Sequence, residues 1–165
     1  EASLAIMAGG SPQDFATVKI VLNALGRPVH VGPLGAGQLA KLANQAIVAV
    51  TIAAVAEAML MLQNGGADPA AVRAALKGGF ADSTILQQHG ARMTTGDFTP
   101  GGLCELQLKD LNNALAEAES FGLSLPTLMN TRDRFQRLVS DLNGAKLDHS
   151  ALYLELCDLN GLGSV

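Results

Sequence analysis

From Ala46 to Ala56 the chain reads AIVAVTIAAVA, with Thr51 its one polar side chain. A run of that kind has to leave water, and a bilayer and a protein core are the two places that accept it. Spanning a bilayer takes about 20 largely apolar residues, and Glu57 interrupts this run well before that length. The run therefore predicts a helix buried on nearly all sides, in a core or at a subunit interface, where its alanines let neighbouring helices approach closely.

The segment leading into that run is the most informative part of the chain. GPLGAGQLAKLANQ, Gly32 to Gln45, joins a glycine-punctuated turn to the start of the helix. Gly32, Gly35 and Gly37 permit backbone conformations or close approaches that a Cβ would obstruct. Gln38, Lys41, Asn44 and Gln45 then stand at i, i+3, i+6 and i+7, so amides and an ammonium share one stripe about two turns long. From Leu42 to Leu62 the only other charge is Glu57. Lys41 has two readings on residue types alone. It is either a lysine snorkelling from a packed helix into water, or a proton donor and acceptor beside amides that orient a substrate oxygen.

GAGQLAKLANQ followed by IVAVTIAAVAEAM resembles the catalytic helix of the β-hydroxyacid dehydrogenases, the family of 3-hydroxyisobutyrate dehydrogenase, tartronate semialdehyde reductase and, more distantly, 6-phosphogluconate dehydrogenase. The family's G-x-G-x-x-x-K pattern is matched by Gly35, Gly37 and Lys41, and the resemblance makes Lys41 the catalytic lysine. Many members carry an asparagine four residues after it. Here that position is Gln45 and the asparagine is Asn44, a KLANQ variant similar to the tartronate semialdehyde reductase branch. Asn44 and Gln45 are thus the implied substrate-binding amides, with Asn44, shorter and stiffer, expected to make the direct contact. The family's K-D-L element is matched by Lys109, Asp110 and Leu111. It implies that Lys109 binds cofactor or substrate carboxylate and that Asp110 orients it, whereas composition alone would make Lys109 a surface cation.

The resemblance implies hydride transfer between NAD or NADP and a small hydroxy acid or its semialdehyde. Reduction of 2-hydroxy-3-oxopropanoate is the first expectation, and 3-hydroxyisobutyrate oxidation the alternative. A non-catalytic helical dimerisation module is the reading from another class.

Taken in order, SLAIMAGG predicts a strand and turn, and SPQDFATVKIVLNALG a helix with Ser11 as cap and Pro12 opening it. Phe15, Val18, Val21, Leu22 and Leu25 are its expected buried face. RPVHVG reads as a second strand. No G-x-G-x-x-G follows a strand anywhere in this chain, although a dinucleotide fold is expected to show one. The expectation is therefore the C-terminal part of a longer enzyme. The fold class is mainly α: a 6-phosphogluconate dehydrogenase-like C-terminal helical domain at 34–165, built around one long buried helix. A short β-α-β remnant of the nucleotide-binding domain precedes it at 1–33. NAD or NADP would be bound mainly by the missing part, leaving this piece inactive alone.

Further on, Asp68 and Pro69 open a helix ending near Gly78 and Gly79, and Asp82 or Ser83 caps a shorter one ending near Gly90. ELQLKDLNNALAEAESFG is helical by spacing. Pro126 opens the next helix, closed by Gly144, and Asp148 caps the last, which carries His149, Tyr153 and Cys157.

A net charge of -4 with no basic cluster argues against nucleic acid or an anionic membrane surface as partner. Cys104 and Cys157 lack CxxC spacing, which predicts reduced thiols in the cytoplasm. His30, His89 and His149 are far apart in sequence, so no metal is expected. The leucine-rich later helices and the alanine-rich one predict a homodimer or higher homo-oligomer.

Overall fold

The computed structural model describes residues 3–163. The architecture is mainly α and divides into two compact units, Glu1–Gln45 and Ala46–Val165.

In the first unit, β1 (Leu4–Gly9) and β2 (Gly26–Gly32) pair in parallel, joined by α1 (Pro12–Asn23). Ser11 caps α1 by accepting from the Asp14 backbone, and Pro12 sits in its first turn, as the sequence predicts. The expected buried face of α1 is not buried. No residue of this helix is buried, and Val18, Val21 and Leu25 are 46%, 65% and 59% exposed. The apolar spacing is present, but among the described residues the sheet has only two strands, too few to cover it.

Helix α2 (Ala36–Asn64) begins in the first unit and continues into the second. It is far longer than the run that suggests it, and by length and composition alone it could cross a bilayer. Its burial is also one-sided. Ala49, Ile52, Ala53, Val55, Ala56 and Met59 form a packed stripe, while Ile47, inside the run expected to be buried, is 67% exposed, and Met61 beyond it is 70% exposed. The alanine-rich stripe is enclosed, while Ile47 on another side borders an open apolar groove.

The rest of the second unit is α3 (Pro69–Leu76), α4 (Thr84–Thr95), α5 (Cys104–Ser120), α6 (Pro126–Ser140), a 3-10 turn (His149–Ala151) and α7 (Leu152–Leu159). The caps explain most boundaries. Asp68 accepts from the Ala70 and Ala71 backbones, Ser83 from Leu86, and Asp148 from Ser150. Helix α4 does not end near Gly90. Gly90 is buried in its interior, where a Cβ would meet Arg73 Cδ at 2.9 Å, and the helix runs on to Gly96 in the left-handed conformation. Glycine there serves close packing rather than termination.

Leu111, Phe135, Leu138 and Leu152 are fully enclosed at the centre of this unit. Each such side chain contributes roughly 1.5–3 kcal/mol of burial. A polar tie crosses the same core. Buried Glu155 on α7 accepts from Arg134 Nε and Arg137 Nη1 of α6, both at 2.9 Å, and Arg134 also reaches Glu57 of α2 at 3.0 Å.

Candidate active site

The glycine turn places the candidate lysine. Gly35 has φ 93, a left-handed value that a side chain rarely adopts. Gly37 does something different. A Cβ on it would lie 2.5 Å from the Met7 carbonyl oxygen, and one on Gly9 would lie 2.6 Å from the Pro33 carbonyl. The first turn of α2 thus packs backbone to backbone against the end of β1, and Lys41 follows one turn later.

Lys41 is exposed and donates from Nζ to Gln45 Oε1 at 2.8 Å. Asn44 Nδ2 donates to the same oxygen at 3.1 Å. The structure therefore brings Lys41, Asn44 and Gln45 together, as their helical spacing predicts, with Gln38 exposed one turn earlier. The shared acceptor could not be read from spacing. An amide oxygen orients an ammonium without supplying a counter-charge, and it fixes the neighbouring carboxamide by the same bond.

Lys109 belongs to the second unit. It lies on α5 directly after buried Gln107 and Leu108, with its side chain 61% exposed and Nζ 3.1 Å from Asp110 Oδ1.

The histidines are not scattered in space. His30 Nε2 bonds the Gly10 carbonyl at 2.8 Å and its ring stacks on Phe15, a role within the first unit's turn. His89 and His149, separated by the length of α5 and α6, meet beside buried Asp148. Burial pushes both rings below the ordinary histidine value, against the pull of Asp148. Burial also pushes the Asp148 carboxyl up, but hydrogen bonds from the Ser150 side chain and the Ser150 and Gly102 backbones outweigh it and hold the group at about 2. Cys104, packed nearby, is pushed by burial up to about 12, so its thiol is inert at neutral pH. No spacing signal in the sequence announces this cluster.

Residues 35–156 match the family described as NAD-binding of NADP-dependent 3-hydroxyisobutyrate dehydrogenase. The chain belongs to the 3-hydroxyisobutyrate dehydrogenase family. It is 46% identical over 153 residues to the 2-hydroxy-3-oxopropionate reductase of Escherichia coli (strain K12), covering 92% of this chain and 52% of that protein. To the 3-hydroxyisobutyrate dehydrogenase of Pseudomonas aeruginosa it is 28% identical, covering 91% of this chain and 53% of that one. Among solved structures, the Mycobacterium tuberculosis 3-hydroxyisobutyrate dehydrogenase with L-serine superposes with a TM-score of 0.84 at 27% identity, over 94% of this chain and 55% of that one. The chain spans about half the length of the curated relatives it matches. Gly35, Gly37 and Lys41, and the stretch Lys109–Asp110–Leu111, all fall inside the matched residues.

Proposed function

We propose that this chain carries the catalytic lysine of an NAD(P)-dependent oxidoreductase that interconverts a small 3-hydroxy acid and its semialdehyde, with 2-hydroxy-3-oxopropanoate reduced to glycerate as the preferred reaction. The observation that carries the reading is Lys41 held on the shared Gln45 oxygen, one turn beyond a glycine pair that fixes its helix against β1. The identity to the Escherichia coli reductase supports this substrate over 3-hydroxyisobutyrate.

On the second unit Lys109 offers such a cofactor a mostly exposed ammonium. Lys109 would hold an anionic or carboxamide group of it, and Asp110 would orient Lys109. Bound NAD or NADP would supply or take the hydride. Lys41 would give a proton to the oxygen that becomes the substrate hydroxyl in reduction and remove it in oxidation. Asn44 would hydrogen-bond the substrate, and Gln45 would keep Asn44 and Lys41 aligned. General acid–base help of this kind is worth roughly 100- to 10,000-fold, or about 3–5 kcal/mol of barrier.

We also place the boundary between nucleotide-binding and helical domains at residue 33, and the protein in the cytoplasm, in keeping with two buried free thiols. A homodimer fits the bare side of α2. An apolar groove of about 420 Å³ lies there between Ile47, Val50 and Thr51 of α2 and Leu125 and Pro126 at the start of α6.

Substrate choice is tested by measuring kcat/KM for both reactions with the enzyme that carries this chain. The proposal expects 2-hydroxy-3-oxopropanoate to be favoured at least about tenfold, about 1.4 kcal/mol; an equal preference for 3-hydroxyisobutyrate would remove the substrate assignment. The amides are tested separately. Asn44→Ala should cut kcat/KM, and an unchanged value beside a tenfold loss in Gln45→Ala would reverse their roles.

A further inference from the structure

His89 of α4 and His149 of the 3-10 turn place Nε2 3.2 Å from Nε2, with ring centroids 4.7 Å apart and planes at 88°. On the far side of His149, Nδ1 lies 3.2 Å from Gln107 Oε1 of α5. On the far side of His89, Nδ1 is buried, has no hydrogen-bond partner and faces Asp148 Oδ1 at 3.6 Å. These atoms form one line, Gln107–His149–His89–Asp148, and its protons can be assigned from the network.

Two ring nitrogens at that separation share a single hydrogen, one donating and the other accepting. With Gln107 Oε1 accepting from His149 Nδ1–H, His149 Nε2 is the acceptor and His89 Nε2–H the donor. His89 Nδ1 is then a bare lone pair aimed at a carboxylate, which is an unfavourable arrangement. One added proton resolves it, because Nδ1–H then faces Asp148 and every nitrogen in the line has a consistent role. A second added proton has only His149 Nε2 to occupy, and there it would set two N–H groups head to head.

The surroundings decide what else the cluster can do. Asp148 Oδ1 accepts from the Ser150 backbone at 3.0 Å and hydroxyl at 2.6 Å, and Oδ2 from the Gly101 and Gly102 backbones at 3.1 Å each. Arg92 of α4 adds a charge 3.3 Å from Oδ2 and is bonded to the Thr99 carbonyl, with Asp97 acting on it from the same loop. Cys104 of α5 donates to the Asp148 carbonyl, and Arg73 of α3 donates to Gly90 and Thr94. The lone pairs of Asp148 are thus already engaged, and Arg92 supplies the countercharge that a metal would, so the cluster suits protons better than a cation. Gly102 keeps the ring's seat clear, since a Cβ there would lie 3.0 Å from His149 Cε1.

We propose that the His89–His149 pair is a proton-operated latch that fastens α4 to the corner formed by α5 and the 3-10 turn, closed with up to one added proton and opened by the second. Burial and Arg92 oppose charging of both rings, so the latch is shut at neutral pH. The sign follows directly. Histidines whose folded values lie below the unfolded value of about 6.5 contribute stability that is complete above that pH and is lost as pH falls through the folded values.

The test is a ring-nitrogen NMR titration of the full chain, combined with melting midpoints across the same range. His89 and His149 should titrate as a coupled pair whose second proton is taken up below about 6.5, and the midpoint should fall as that second proton is taken up on acidification. In His89→Gln and His149→Gln the acid-induced fall should shrink by about half or more. Independent titration of the two rings at the ordinary value would overturn the latch, as would an undiminished fall in both variants. A zinc-dependent rise in midpoint that abolishes both titrations would replace it with a metal site. Should either variant fail to fold, the titration of the unaltered chain decides alone.

Discussion

Helices α1 and α5 carry the same kind of apolar spacing and meet different fates. In the first unit α1 buries no residue, and the two-stranded sheet beside it leaves Val21 and Leu25 in water. In the second unit α5 buries Leu108, Leu111 and Ala114, and even polar Gln107 is enclosed. Pattern sets which face could be buried; neighbours decide whether it is. Lys41 and Asn44 are exposed near the end of the first unit, whereas Gln107, Asp148 and Glu155 of the second are buried.

Substitutions should break along that line. The largest stability loss is expected for Phe135→Ala, about 3–5 kcal/mol by denaturant unfolding, because the ring is fully enclosed and a cavity would remain. Glu155→Ala should cost about 1–3 kcal/mol, since it removes the buried carboxylate shared by Arg134 and Arg137, which keep Glu57 and Asp158 nearer the surface. If Glu155→Ala cost under about 1 kcal/mol, the tie among α2, α6 and α7 would be peripheral. Asp148→Asn should cost about 2 kcal/mol at neutral pH, the linkage value for a carboxyl held at about 2 against 3.8. That contribution is complete above pH 3.8 and should vanish as pH falls towards 2, so the variant and the parent should converge in acid. Gly37→Ala, with its Cβ against the Met7 carbonyl, should cost about 1–3 kcal/mol and disturb turnover together with it. Val21→Ala should fall within about 0.5 kcal/mol of the parent. A loss from Val21→Ala as large as that from Phe135→Ala would erase the contrast between the units.

Much of the fold was legible because helix ends announce themselves chemically. Ser11–Pro12 and Asp68–Pro69 cap where their side chains predict, whereas Asp148 caps a 3-10 turn holding His149 and the last helix starts only at Leu152. Gly90 misled because glycine has two uses, and only the nearness of Arg73 Cδ shows that here it makes room. The long helix was legible in kind but not in extent, since the apolar run stops at Ala56 while the helix reaches Asn64, and Ile47 inside the run is exposed. In the candidate site, Lys41 and Gln45 at i, i+4 could be placed on one face from sequence. That a single oxygen serves Lys41 and Asn44 depends on rotamers, and the meeting of His89 with His149 depends on how helices far apart in the chain fold back.

The central claim is that Lys41 serves the proposed chemistry and not the packing of its unit. It is tested by Lys41→Ala, with turnover and melting midpoint measured on the same preparation of the enzyme that carries this chain. Turnover should fall by roughly 100- to 10,000-fold with the midpoint essentially unchanged. Near-normal turnover, or a midpoint that collapses together with activity, would contradict it.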